Sequence, residues 1–245
     1  MNIQGELHAL FTLSGLASLL TLSLLELILG VDNIIFISLL VIKLPESQRF
    51  KARVTGLSLA FVMRIIMLFC LVWLARITTT LFSVSEFRVT IRDILFLIGG
   101  SYLIFNTVEE LTEHLKRKGH EKSEQGKKQR SYKSIIMQIV LIDFLFSFDS
   151  IFTAIGLNPN LVIMALAVGI GMVFMIYLAG HTSKFIEKNP AVKTLALSFI
   201  IAVGSMLVAE AFHLEIPKVY LYAALAVGLI AVGLNMALKS KTRRR

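Results

Sequence analysis

The chain has 245 residues, of which 56% are hydrophobic and only 17% charged, and its mean hydropathy is +0.77. Soluble domains carry roughly 45–50% apolar and about 25% charged residues, so this is the composition of a membrane protein. Spanning helices of about 20 residues use up most of such a chain and leave no room within it for a large extramembrane catalytic domain. A single cysteine, Cys70, excludes a disulfide scaffold.

The polar head, residues 1–8, has no basic residue before the first apolar run, so a cleavable leader of ordinary form is not expected. Apolar stretches follow at Leu10–Ile42, Val54–Ala75, Asp93–Val108, Ile135–Leu157, Leu161–Gly180, Thr194–Phe212 and Val219–Leu238. Each is expected to be a helix, because within lipid only helices and closed barrels satisfy the backbone. The expected fold is therefore an all-α polytopic membrane protein with seven transmembrane helices. The first stretch is longer than a straight span requires, so it must tilt, start at the interface or break near Gly30.

The basic residues set the orientation. Twenty Lys and Arg fall in alternate connections and the tail, from Lys43–Arg53, through Lys116–Lys133 and Lys184–Lys193, to Lys239–Arg245. The opposite side has only Arg76, Arg88, Arg92 and Lys218. Basic loops stay cytoplasmic, which predicts an outside N-terminus and a cytoplasmic C-terminus in a multi-pass protein. The excess of 25 Lys+Arg over 16 Asp+Glu then serves topology and membrane lipid, not nucleic acid. The stretch Glu113–Lys133 reads as a mobile polar linker, with His114 and His120 as ordinary solvated residues.

The first and fourth stretches share a pattern. Glu26-Leu-Ile-Leu-Gly30-Val-Asp32-Asn33-Ile34-Ile-Phe36 is matched by Asp143-Phe-Leu-Phe-Ser-Phe-Asp149-Ser150-Ile151-Phe152. A weaker echo links Gly100-Ser101-Tyr-Leu103 with Gly204-Ser205-Met-Leu207. The expected division is a first three-helix repeat over 1–112, a cytoplasmic linker over 113–134, a second three-helix repeat over 135–213, and a seventh helix with a basic tail over 214–245. Because three is odd, the second copy enters the membrane inverted, a plan that transporters use to hold substrate near the midplane.

A carboxylate in the bilayer core costs about 2.5–3.5 kcal/mol on insertion scales. Glu26, Asp32, Asp143 and Asp149 all fall in apolar stretches, with Glu210 as a further acid and Arg64 as the lone interior cation. Arg64 can neutralise one or two of these acids, but not all five, so protons or a bound cation must supply the rest. Six residues of regular helix turn two acids about 240° apart and separate them by about 9 Å, so each pair needs a break or two ligand layers to serve one ion. Asn33 and Ser150 add neutral oxygens beside Asp32 and Asp149. This hard-oxygen donor set favours Mg²⁺, Ca²⁺ or Mn²⁺ over thiolate-bound metals. Glu210 and Arg64 are a candidate proton relay and counter-charge, each with a plain structural alternative. Gly99, Gly100, Gly169 and Gly171 read as close-packing positions.

The acid motifs, together with Val62-Met63-Arg64, Arg92-Asp93, Ala196-Leu-Ser-Phe199 and Pro217-Lys218, resemble the TerC family of integral membrane proteins and its YgdQ-like branch. The resemblance implies a seven-helix inner-membrane fold related to the LysE-type exporters. It also implies an association with manganese export and tellurium resistance, with the intramembrane acids on Glu26, Asp32, Asp143 and Asp149. The expected function is proton-coupled export of a divalent cation, Mn²⁺ favoured, with no permanently bound cofactor and no enzymatic activity; no Walker motif is present to supply ATP energy. The weaker alternatives are a factor that metallates or assembles exported proteins and, last, an intramembrane aspartyl protease with a shared-proton dyad.

Overall fold

The computed structural model describes residues 8, 10–69, 80–84, 87–119, 131–157, 160–214 and 216–242. Its helices, in chain order, are α1 (Leu13–Leu29), α2 (Val31–Val41), α3 (Glu46–Phe69), α4 (Ile91–Gly119), α5 (Tyr132–Leu157), α6 (Leu161–Lys188), α7 (Pro190–Ala211) and α8 (Lys218–Thr242). A hairpin of β1 (Thr80–Val84) and β2 (Phe87–Thr90) precedes α4, in an interval that the sequence reading left as a loop. Four helices (α4, α6, α7 and α8) are each long and apolar enough to cross a membrane, and the bent α1–α2 pair makes a fifth candidate among the described residues. The 24-residue α3 and 26-residue α5 also have the length of a span.

Local chemistry accounts for the helix ends. Thr12 caps α1, its Oγ1 accepting from Gly15 N at 3.0 Å. Thr90 and Asp93 form a reciprocal capping box at the start of α4, with Thr90 N donating to Asp93 Oδ2 at 2.8 Å and Asp93 N to Thr90 Oγ1 at 3.3 Å. Pro190 opens α7 after Asn189. α7 closes in a Schellman turn: His213 N donates to Glu210 O and Leu214 N to Ala209 O, with His213 in the left-handed region at φ 60°.

Two linker expectations need correction. α4 runs through to Gly119, well past Val108, so the first part of the polar segment is helical; Glu and Lys sustain a helix after it has left the lipid. His114 belongs to that helix, its Nε2 3.2 Å from Pro190 O, and is not a loop residue. His120 and Cys70 lie outside the described residues.

The chain divides into two compact units: residues 1–79 with 128–183, and residues 80–127 with 184–245. Each therefore combines helices from both halves of the sequence. In the first unit, polarity runs from inside to outside. On α1, Leu16, Leu20, Leu24 and Ile28 form the exposed face, whereas Leu22, Ser23 and Glu26 are buried. An apolar exterior around a polar interior suits a surface covered by lipid tails.

In the second unit, α4 and α7 cross at glycine. A Cβ on Gly100 would lie 2.7 Å from Gly204 O, and one on Gly204 would lie 3.1 Å from Gly100 O. Only residues without a side chain permit this backbone approach. Leu195 of α7 packs against Gly228 of α8, whose remaining length is mostly exposed and apolar.

Candidate functional site

The interior of the first unit gathers the polar side chains that the sequence singled out. Helix 1 breaks where expected: α1 ends at Leu29, α2 begins at Val31, and the two axes differ by 49°. Gly30 fits because a Cβ there would meet Glu26 O and Met175 Sδ, each at 3.0 Å. The break releases the two acids from the fixed angular relation of a continuous helix. Glu26 at the end of α1 and Asp32 in the first turn of α2 are both buried, at 6% and 5% exposure.

Arg64, on α3, is the centre of the charge arrangement. Its Nη1 pairs with Glu26 Oε1, and its Nη2 lies 3.3 Å from Asp143 Oδ1 on α5. Its Nε donates to Ser147 Oγ at 2.8 Å. The guanidinium therefore ties α1 and α5 to α3. Asn33 of α2 joins the same node, its Nδ2 donating to Asp143 Oδ1 at 3.3 Å, while its buried Oδ1 has no hydrogen-bond partner among the described residues. α6 supplies space on the other side of Glu26: a Cβ on Gly171 would come within 2.7 Å of Glu26 Cγ. Lower on the same interface, Ser38 Oγ lies 3.1 Å from Ala179 O.

Glu26, Asp32, Asn33, Asp143 and Arg64 are all buried in the first unit, with three carboxylates and one guanidinium. Among the described residues, no three carboxylate, imidazole or thiol groups form a ready-made metal cage. Arg64 instead holds one oxygen each of Glu26 and Asp143. The backbone at Asp149 and Ser150 is helical, and their side chains lie outside the described residues. Glu210 belongs to the second unit and pairs there with Arg92 at 3.5 Å. Next to it His213 Nε2 lies 3.2 Å from Asp93 Oδ2.

Ser147 and Gly171 are site residues that the sequence reading missed or took only for packing. Ser147 stands one helical turn after Asp143, and that spacing on a shared face was the available signal. In the repeat alignment it occupies the place of Gly30, so the first copy breaks where the second keeps a hydroxyl for Arg64.

Comparison with known proteins places this site in a family. The model of the TerC family of integral membrane proteins matches residues 11–245. The chain is 42% identical over 223 residues to the UPF0053 inner membrane protein YgdQ of Escherichia coli K12, covering 90% of this chain and 92% of that protein. A UPF0053 protein of Haemophilus influenzae is 39% identical over 222 residues, covering 91% and 93%. The UPF0053 inner membrane protein YoaE of E. coli K12 is 42% identical over 214 residues, which is 87% of this chain but only 41% of YoaE. No solved structure matches. The chain belongs to the TerC family of integral membrane proteins.

Proposed function

We propose that the protein is a secondary transporter that exports a divalent cation, Mn²⁺ favoured, in exchange for protons. The observation that carries this is the buried cluster around the break in helix 1: Glu26, Asp32 and Asp143 exceed Arg64 in charge, and Asn33 adds a buried carbonyl oxygen without a hydrogen-bond partner among the described residues. Buried excess negative charge in lipid must be met by protons or a cation. Carboxylate and amide oxygens suit hard divalent ions, and metal and protons compete for the same carboxylates. In this scheme Asp32 and Asp149 bind the ion, with Asn33 and Ser150 beside them. Glu26 and Asp143 complete the site or relay protons.

A seven-span arrangement with two inverted repeats supplies the alternating access. What supports the repeat is that aligned positions meet: Glu26 and Asp143 share Arg64, and Gly100 touches Gly204. The N-terminus lies outside and the basic tail inside, in line with the loop charges.

The test is metal uptake into inverted membrane vesicles, comparing Mn²⁺, Ca²⁺, Mg²⁺ and Zn²⁺ with and without a pH gradient. Mn²⁺ uptake driven by the gradient is expected; no gradient-dependent uptake of any of the four overturns the transporter. Direction is checked with cysteines in a Cys70→Ala background. One at Asn160 is expected to react with an impermeant thiol reagent in intact cells and one at Ser123 to be protected.

A further inference from the structure

We propose that Arg64 is a tethered cation that holds the carboxylate site closed between transport events and must be displaced by the incoming ion. This rests on the transporter reading and assigns one residue its part in it. The planar guanidinium of Arg64 offers five donors and no acceptor, so it can bind several carboxylate and hydroxyl oxygens at once. It is 3% exposed and bound to Glu26 of α1, Asp143 of α5 and Ser147 of α5. The oxygens it uses belong to Glu26 and Asp143, so an ion that takes these two acids to complete its shell beside Asp32 must displace the guanidinium.

Three details separate this from an arginine that merely fastens helices. First, Asp143 Oδ1 accepts from both Arg64 and Asn33, whereas Asn33 Oδ1, 2% exposed as a residue, accepts from nothing among the described residues. A buried amide oxygen of this kind is an open ligand position, and a cation beside Asp143 would satisfy it. Second, Glu26 packs its Cβ and Cγ against the bare backbone of Gly171, where a Cβ would come within 2.7 Å, so the seat of this carboxylate depends on that missing side chain. Third, Arg64 is anchored on α3, while the acids belong to α1, α2 and α5. Its long side chain can withdraw from the site without any ligand moving its backbone. Affinity for the ion is then set by a difference: ion–carboxylate attraction minus the arginine contacts that are lost. Moderate affinity permits release, which turnover requires.

The test is calorimetric titration of MnCl₂ and MgCl₂ into the full chain in lipid nanodiscs, with flux measured in proteoliposomes. Arg64→Gln is expected to bind Mn²⁺ about tenfold more tightly than wild type, because a competing charge at contact distance has gone, and to lose flux because release is slow. Arg64→Lys keeps the charge and is expected to bind within about threefold of wild type. A folded Arg64→Gln protein that binds no more tightly than wild type overturns the proposal, as does a Lys variant that behaves like Gln. Should Arg64→Gln fail to fold, Glu26→Gln is compared with Glu26→Gln/Arg64→Gln. Release of Asp143 is expected to tighten binding in the double variant, and equal affinity overturns the proposal. Wild-type protein that binds neither metal overturns the transporter reading itself, and this inference with it.

Discussion

The two compact units solve the same problem, bringing helices from both halves of the chain together, with opposite chemistry. The first uses charge: one guanidinium on α3 clasps acids from α1 and α5. The second uses the absence of side chains: α4 and α7 meet backbone to backbone at Gly100 and Gly204. Glycine contacts in lipid gain dispersion energy at no desolvation cost. A buried ionic node gains little net stability over an apolar one of equal volume, because desolvation offsets its attraction. Stability alone therefore does not account for the ionic node of the first unit, whereas close backbone packing accounts for the glycine crossing of the second.

The largest expected effects lie in the acids. Asp32→Asn and Asp149→Asn are each expected to abolish metal flux while the protein stays inserted, since loss of a buried charge lowers the insertion cost by about 2–3 kcal/mol. Asp143→Ala should behave differently. It strips a carboxylate from Arg64, whose charge cannot be relieved by deprotonation, and is expected to destabilise by about 3–5 kcal/mol. Thermal unfolding in detergent, run beside flux, distinguishes the two. If Asp32→Asn proves as unstable as Asp143→Ala, the acids are structural and the contrast between the units fails.

The next test makes one kind of change in both units. Gly100→Ala forces a Cβ to 2.7 Å from a carbonyl of the opposing backbone, which can move only if the helices part. Overpacking of that sort is expected to cost about 1–3 kcal/mol, with Mn²⁺ affinity unchanged. Gly171→Ala meets the side chain of Glu26 instead. It is expected to lower the melting temperature less than Gly100→Ala, since a side chain and not a facing backbone must give, and to lower flux several-fold by displacing that carboxylate. Equal melting-temperature losses for the two variants would erase the distinction between a holding and a working glycine.

How much of this was legible beforehand follows the same division. A break near Gly30 was one of three ways, beside tilt or an interfacial start, to fit the long first stretch, and Gly100 was legible as a close-packing position but without Gly204 as its partner. The partners of Arg64 were not legible. Periodicity marks a buried cation but not which acid on another helix it reaches. Ser147 escaped notice because a serine in an apolar helix usually satisfies itself on its own backbone, and its Oγ does lie near Asp143 O as well as Arg64. The end of α4 was drawn at Val108 because apolarity reports the thickness of lipid, whereas the helix continues to Gly119 on polar residues of good propensity. The hairpin before α4 is too short to stand out, although Val84, Val89 and Thr90 have the branched side chains that strands favour.

The smallest expected effect concerns the acid that the sequence grouped with the others. Glu210 sits in the second unit with Arg92 at 3.5 Å, and Arg92 is partly exposed and also lies over the Phe96 ring at 4.6 Å. Pairs with one partly solvated partner contribute about 1 kcal/mol or less, since water and salt screen them. Glu210→Gln is therefore expected to keep most of its stability and to reduce flux only in part, whereas the acids of the first unit lose it outright. Arg92→Gln should give a similarly small change in melting temperature, because the two substitutions break the same contact. Complete loss of flux in a stable Glu210→Gln protein would make Glu210 a member of the transport machinery. The second unit would then carry protons as well as hold helices, and the separation of working charge from holding glycine would no longer follow the boundary between the units.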